Sequence, residues 1–269
     1  MKMAKLDRWV AKHQRASRLF MLVFWILMEI WWLDLGVPTP IVIIFLVVAF
    51  LISFVTITAA GNRLLKKPLE TLKNQCDPYP FLEEIKEQQS YPGNNATKQI
   101  RTINYALALR CIGEYDQAFA LLSATNIDKN AGMPPAVKVV YYNNLMDLCM
   151  LMGKNQEACI WYEKLLLIFH DMKPSKQKDR LRRTVESNRA TYHFCKGEWE
   201  QALQALSTAK IENLNDRIEN AMMYARTYLA MGETEKAIKP LTFVAENGNK
   251  LYFATEAKEL LAKINMEEQ

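Results

Sequence analysis

Residues 41–60 read IVIIFLVVAFLISFVTITAA and contain no charged side chain. At about 1.5 Å of rise per residue, a helix of this length spans about 30 Å, which is the thickness of the hydrocarbon core of a bilayer. A core helix of a soluble domain rarely needs so long an unbroken apolar run. The stretch therefore predicts a transmembrane helix.

A second apolar segment, residues 19–35, precedes the first, and only the pentapeptide GVPTP separates the two. Glycine and proline in so short a connection favour a tight turn. We therefore expect a transmembrane helical hairpin over residues 19–61. The alternative is a cleaved signal peptide, because a basic start precedes an apolar stretch. Against it, residues 29–34 read EIWWLD without a small-x-small cleavage site, and a second span follows at once.

Basic residues flank the hairpin and are absent from its turn. An excess of Lys and Arg marks the cytoplasmic side of a membrane segment. We therefore expect a multi-pass plasma-membrane protein with a basic tail over residues 1–18 and both termini in the cytoplasm. The basic residues before and after the hairpin are Lys2, Lys5, Arg8, Lys12, Arg15 and Arg18, then Arg63, Lys66, Lys67 and Lys73.

About 200 of the 269 residues follow the hairpin, and their charged, Leu-, Ala- and Tyr-rich composition is typical of a soluble helical domain. The net charge of +5 is small and lies mainly next to the hairpin and in one later segment, which suits anionic lipid better than nucleic acid. The cysteines lack paired metal spacing and are expected to be small buried hydrophobes. They are Cys76, Cys111, Cys149, Cys159 and Cys195.

An internal repeat organises the part after the hairpin. Four segments carry a glycine and, five residues later, an alanine: GEYDQA at 113–118, GKNQEA at 153–158, GEWEQA at 197–202 and GETEKA at 232–237. Glycine supplies the left-handed conformation that ends one helix, and the alanine allows two antiparallel helices to approach closely. The pattern predicts four helical hairpins in succession.

These segments resemble tetratricopeptide repeats over residues 98–247, although Asn155 and Thr234 replace the usual turn aromatic. The resemblance implies an all-α fold in which a solenoid of about four helix-turn-helix repeats fills residues 97–269, with a capping helix over residues 250–264. An ordinary helical bundle is the alternative. Residues 62–96 are expected to hold a juxtamembrane helix and a linker, with a break near Pro68 or at Asp77-Pro78 and a short helix over 81–89.

The resemblance also implies that the first helix of each repeat lines a concave groove that binds a peptide or a partner protein. Asn104, Asn144 and Asn188 each lie nine residues before a repeat glycine, so they are candidates for a row of amides along that groove. The alternative is that these amides bond within the array. The other candidate groove residues are Arg110, Asn143, Asp147, Thr191 and Arg226.

Two further features carry alternatives. The basic segment from Lys173 to Arg183 suits anionic lipid headgroups or a solvated helix face, and without interleaved aromatic residues it does not indicate nucleic acid. Glu29 lies within the first apolar segment, where a carboxylate is costly. It either stays protonated near the outer interface or pairs with another membrane protein or a second copy.

No catalytic, metal or cofactor motif occurs; His193 and Cys195 are two residues apart and would point to different sides of a helix. The sequence therefore predicts a non-catalytic, membrane-anchored scaffold or adaptor that mediates protein–protein interaction at the cytoplasmic face. The alternative is a regulatory receptor whose groove binds a short signalling peptide.

Overall fold

The computed structural model describes residues 2–267, apart from the side chains of residues 2, 3, 58 and 267. This part of the chain is all-helical and contains no strand. The thirteen helices are α1 (Lys2–Lys12), α2 (Gln14–Asp34), α3 (Thr39–Gln75), α4 (Tyr79–Gln88), α5 (Asn95–Cys111), α6 (Tyr115–Ala124), α7 (Pro135–Leu151), α8 (Asn155–Asp171), α9 (Lys176–Cys195), α10 (Trp199–Thr208), α11 (Leu214–Ala230), α12 (Thr234–Asn247) and α13 (Tyr252–Glu267).

Helices α2 and α3 pack against each other as the predicted hairpin, and both are long and apolar enough to cross a membrane. Gly36 turns the chain between them with φ +76°, a conformation that other residues adopt only with strain. Large apolar side chains such as Phe20, Leu27 and Ile44 are more than 60 % exposed on the outside of the pair. Such exposed apolar surface suits a lipid environment better than water.

Of the two expected break positions, Pro68 and Asp77-Pro78, the chain breaks at the second, and α3 continues through Pro68 to Gln75. Cys76 then ends the helix in the left-handed conformation with φ 52°, just before Asp77-Pro78. Proline removes one backbone donor from a helix, but side chains on both sides of Pro68 hold α3 in place. Leu65, Leu69 and Leu72 all pack into the core of the domain that follows the hairpin.

The basic N-terminal segment forms α1, which lies against α3 and α4. Arg63 of α3 pairs with Asp7 at 2.5 Å, and Arg8 pairs with Glu84 of α4 at 2.5 Å and with Glu87. Partly exposed ion pairs of this kind contribute little each, about 0.2–1 kcal/mol. They nevertheless position the segment on the helices next to the hairpin.

Helices α5 to α12 form four consecutive antiparallel pairs, and each pair is joined at one of the predicted glycines. All four glycines have φ between +73° and +87°. The residue after each glycine donates its backbone N–H to a carbonyl five residues earlier, as in Glu114 to Leu109 at 3.0 Å, which closes the helix end. The four predicted alanines are at most 1 % exposed, so the helices of each pair meet at these positions.

The last helices return to the first ones. Lys250 pairs with Asp77 at 2.7 Å and donates its backbone N–H to the carbonyl of Cys76, which joins the α12–α13 connection to the end of α3. One buried cluster accordingly contains Phe81 of α4, Ala108 of α5 and Ile218 of α11. The predicted terminal helix, α13, covers α11 and α12 as a cap would and also contacts the first pair.

Candidate functional site

A cavity of about 480 Å³ lies between the inner helices of the domain. Helices α7, α9 and α11 form its walls, and the α10–α11 connection, residues 209–213, forms part of its mouth. Single side chains from four other helices complete the lining: Lys73 of α3, Arg110 of α5, Leu206 of α10 and Phe253 of α13. The closure of the helix array thus turns an inner surface into a cavity that stays open to solvent on one part of its boundary.

A chain of side-chain hydrogen bonds crosses the cavity wall and joins four inner helices. Asn188 of α9 donates to Asn143 of α7, and Asn143 donates to Asp147 at 3.3 Å. Arg110 of α5 donates to Asp147 at 3.2 Å and to Glu219 of α11 at 2.9 Å. Because a half-satisfied buried network is costly, these contacts fix the helices relative to one another.

The charges of this network influence one another strongly. Burial raises the pKa of Asp147 to about 6; the Arg110 guanidinium opposes this rise and the Glu219 carboxylate adds to it. Burial alone would lower the pKa of Arg110, but the two carboxylates outweigh this effect, so its pKa is raised. Arg110 therefore remains charged and is shared between two acids.

A second ion pair closes the far end of the cavity. Arg226 of α11 donates to both carboxylate oxygens of Glu256 on α13, at 2.6 and 2.7 Å. Its guanidinium also lies 5.3 Å from the ring centroid of Phe253 and 3.6 Å from the sulfur of Met150 on α7. A bidentate, stacked arginine is held in one orientation, so this corner of the site is rigid.

The structure places most of the predicted groove residues in this cavity. Arg110, Asn143, Asp147, Asn188, Thr191 and Arg226 all line it. Asn104 and Asn144 are not among the lining residues, and Asn144 is only 3 % exposed with no partner for its Nδ2 in the described part of the chain. Of the three predicted amides only Asn188 reaches the cavity, and its Nδ2 is used within the array.

Sequence reasoning missed Glu219, Lys73 and Lys210 as cavity residues. Glu219 lies 109 positions after Arg110, and no local pattern indicates that the two pair. Lys73 belongs to the same helix as the second apolar span, so nothing in its surroundings marks it as part of the inner surface. Each of these residues reaches the site only because the array closes.

The basic side chains between Lys173 and Arg183 have different partners. Lys178 donates to the carbonyls of His170 and Met172 and so satisfies the end of α8. Arg182 lies 3.7 Å from Asp179, and Arg183 pairs with Glu212. Arg180 and Arg183 line the cavity, whereas Lys173 and Lys176 are exposed and lie outside it.

A second cavity, of about 380 Å³, lies between α2 and α3 and is lined almost entirely by apolar and aromatic side chains. Glu29 and Ser53 line it together, and Trp25 donates its Nε1–H to the hydroxyl of Ser53 at 3.1 Å. Within the described residues the Glu29 carboxyl has no hydrogen bond or ion pair.

The imidazole of His193 has a hydrogen-bond partner, and the thiols of Cys111 and Cys195 are shielded by burial. His193 bonds through Nδ1 to Glu198 at 2.6 Å, and burial raises the pKa of the Cys111 and Cys195 thiols to about 12, so both stay protonated. Cys76, Cys111 and Cys149 are buried, while Cys159 and Cys195 are half-buried. Among residues 2–267 no three His, Cys, Asp or Glu side chains group closely enough to hold a metal ion.

Comparison with protein-family models, with curated proteins and with solved structures finds no match for this chain. The class of this protein is therefore described from its own fold and cavity. The chain is an all-helical protein with two helices near the N-terminus that are long and apolar enough to cross a membrane.

Proposed function

We propose that this protein is a non-catalytic, membrane-anchored receptor of the tetratricopeptide-repeat type, whose central cavity binds a short peptide or the end of a partner protein at the cytoplasmic face. The observation that carries the proposal is the cavity between the inner helices and its amide, hydroxyl and guanidinium lining. Such groups match the donors and acceptors of a peptide backbone.

The repeat assignment rests on two recurring features. Each of four helix pairs turns at a glycine with positive φ, and each places a buried alanine five residues later. This combination is what the resemblance to tetratricopeptide repeats implies. The membrane anchor rests on the length and apolar composition of α2 and α3 and on the basic residues at both ends of the hairpin.

The shape of the cavity favours the receptor over the extended scaffold. An open solenoid offers a long concave surface to a partner helix or domain. Here α13 meets the first helix pair and the end of α3 meets the α12–α13 connection, and the space left is about 480 Å³. One turn of a helix about 10 Å wide occupies about 420 Å³, so the cavity has room for a few residues of a chain and not for a whole partner helix or domain.

The experiment is a peptide-binding measurement on the full-length protein in detergent or nanodiscs, with a pool of end-blocked octapeptides of random sequence. Ser187→Trp fills the cavity from α9, where Ser187 is exposed and bonds only to the carbonyl of Thr184. Ser207→Trp is the matched control, because Ser207 makes the same bond to Gln204 on α10 and is not among the cavity residues.

We expect the parent and Ser207→Trp to enrich the same peptides and Ser187→Trp to enrich none. Equal enrichment by both variants would place peptide binding outside the cavity. No enrichment by the parent would show that the cavity does not bind short peptides, and the scaffold alternative would then be preferred.

A further inference from the structure

The mouth of the central cavity is rich in basic side chains. The exposed lining residues include Lys73 at the end of α3, Arg180 in the first turns of α9 and Lys210 in the α10–α11 connection. These three residues are called the cationic mouth below. They come from segments far apart in the sequence, and the closed array brings them to one opening.

The side chains of the cationic mouth have no direct partner within the described part of the chain. Lys73, Arg180 and Lys210 make no hydrogen bond or ion pair with the described residues, although Lys73 acts electrostatically on Asp216. The acidic side chains that line the cavity have other partners, and for Asp147 and Glu219 this partner is Arg110. Glu212 pairs with Arg183, and Asp216 accepts hydrogen bonds from Asn213 and from the backbone of Glu212.

The position of Arg180 also indicates that the cationic mouth lacks a counter-ion within the protein. The positive end of a helix dipole disfavours cations in the first turns of a helix, yet α9 begins with Lys176, Lys178 and Arg180. Lys178 has a structural role at the end of α8, but Arg180 has none in the described structure. An anion from outside the protein would balance it.

The location of Lys73 argues against lipid headgroups as the source of that anion. Lys73 comes thirteen residues after Ala60, at the end of the second apolar run, and α3 is continuous between them. The distance along the helix is therefore about 20 Å. The headgroup layer extends only about 5–8 Å beyond the hydrocarbon core, so the cationic mouth lies in the aqueous phase.

We propose that the ligand of the central cavity is an acidic peptide, in which Asp or Glu side chains contact Lys73, Arg180 and Lys210 while the backbone enters the amide-lined interior. This inference rests on the proposed peptide-binding function and adds its charge selectivity. Because Lys73 belongs to α3, such a ligand also bridges the membrane-anchoring helix to α9 and α11.

The experiment compares two pools of end-blocked octapeptides on the full-length protein. One pool has Glu at two fixed positions and random residues elsewhere, and the other has Gln at those positions. The test variant is the triple substitution Lys73→Gln, Arg180→Gln and Lys210→Gln. The control is Lys239→Gln, Lys258→Gln and Lys263→Gln, which removes the same charge from exposed sites on α12 and α13 that do not line the cavity.

We expect peptides from the Glu pool to bind at least about tenfold more tightly than their Gln counterparts, and this preference to shrink as salt is raised. The test variant should lose about two- to fivefold in affinity per removed charge, and the control should lose none. Thermal unfolding of both triple variants, followed by circular dichroism, verifies that they fold alike.

Three results would overturn the inference in distinguishable ways. If the parent binds both pools equally and Ser187→Trp binds neither, the cavity binds peptides but does not select for acidic ones. Binding of neither pool would reject the proposed function together with the inference. A test variant that binds Glu peptides as tightly as the parent, but no longer co-purifies in detergent with phosphatidylglycerol that the parent retains, would assign the cationic mouth to lipid.

Discussion

Gly113 lies directly against the ring of Tyr252, although the two residues are 139 positions apart. A Cβ atom built at position 113 would come within 2.5 Å of Cδ2 of that ring. Tyr252 also meets Tyr115 edge to face at a centroid distance of 5.7 Å. The turn of the first helix pair is therefore the surface on which the last helix closes.

We predict that Gly113→Ala destabilises the protein more than Gly153→Ala does. Both glycines have positive φ, so an alanine costs roughly 1–2 kcal/mol of backbone strain at either position. At position 153 nothing lies within 4 Å of an added Cβ, whereas at position 113 the added methyl meets Tyr252, which costs about 1–3 kcal/mol more. Thermal unfolding of the full-length protein in detergent measures the difference.

Equal losses in the two glycine variants would mean that the Tyr252 contact does not form in solution. Tyr252→Ala in the Gly113→Ala background provides the control, because it removes the clash and should recover part of the stability relative to Gly113→Ala alone.

We predict that Ala118→Leu lowers the unfolding temperature and that Ala120→Leu does not. Ala118 is fully buried between α5 and α6, and a larger side chain there forces the helices apart at a cost of about 1–3 kcal/mol. Ala120 lies on the exposed side of the same helix, so the same substitution adds only surface. Matching melting curves for the two variants would contradict the assignment of position 118 to the helix contact.

We predict that Asp147 makes the stability of the folded protein depend on pH. Its pKa is raised to about 6 in the folded protein, mainly by burial, whereas in the unfolded chain it is near its ordinary value of 3.8. At intermediate pH the folded state thus binds a proton that the unfolded chain has lost, and this part of the stability increases as pH falls from about 7 to about 4. The gain is on the order of 1–3 kcal/mol.

Asp147→Asn isolates this effect, because the other titrating groups are common to both proteins. Urea titrations at several pH values should show the parent gaining stability relative to Asp147→Asn as the pH falls. A change in the opposite direction would mean that the Arg110 charge outweighs burial and lowers the pKa of Asp147.

We predict that a fragment beginning at Arg63 is more stable than one beginning at Tyr91. The longer fragment retains Leu72, Phe81 and Ile85, which pack into the same buried cluster as α11, α12 and α13. Removing three such side chains exposes their apolar neighbours and costs several kcal/mol, at about 1.5–3 kcal/mol for each fully buried residue. Denaturant titration of the two fragments tests this, and equal midpoints would contradict it.

We predict that a reporter active only outside the cytoplasm works when it is inserted in the turn at residues 37–39 and fails when it is fused after residue 269. The prediction follows from the basic residues on both sides of the hairpin and their absence from its turn. The reverse pattern of activity would place the helical domain outside the cytoplasm and would exclude the proposed cytoplasmic function.

The sequence predicts the local structure well, because glycine and alanine act through contacts close in the chain. The four glycine-to-alanine segments identify the helix pairs and their turns, and the apolar runs identify the helices of the hairpin. The choice between the two expected break positions also has a physical reason: Leu65 and Leu69 pack into the domain core and hold α3 together on both sides of Pro68, so the break falls at Asp77-Pro78.

The closure of the array could not be predicted in the same way. It depends on contacts such as Gly113 with Tyr252 and Arg110 with Glu219, which join residues more than 100 positions apart and leave no periodic trace in the sequence. The predicted row of amides illustrates the consequence. Asn104, Asn144 and Asn188 are equivalent along the chain, yet only Asn188 reaches the cavity.

The continuity of α3 fixes the geometry of any encounter with a partner. At 37 residues the helix is about 56 Å long. With residues 41–60 in the bilayer, as proposed, it would set the height of the cavity above the membrane. A receptor on a flexible tail samples a volume set by the length of that tail, whereas a domain carried on one continuous helix would present its cavity at this height. The proposed ligand would therefore have to reach the protein close to the membrane surface.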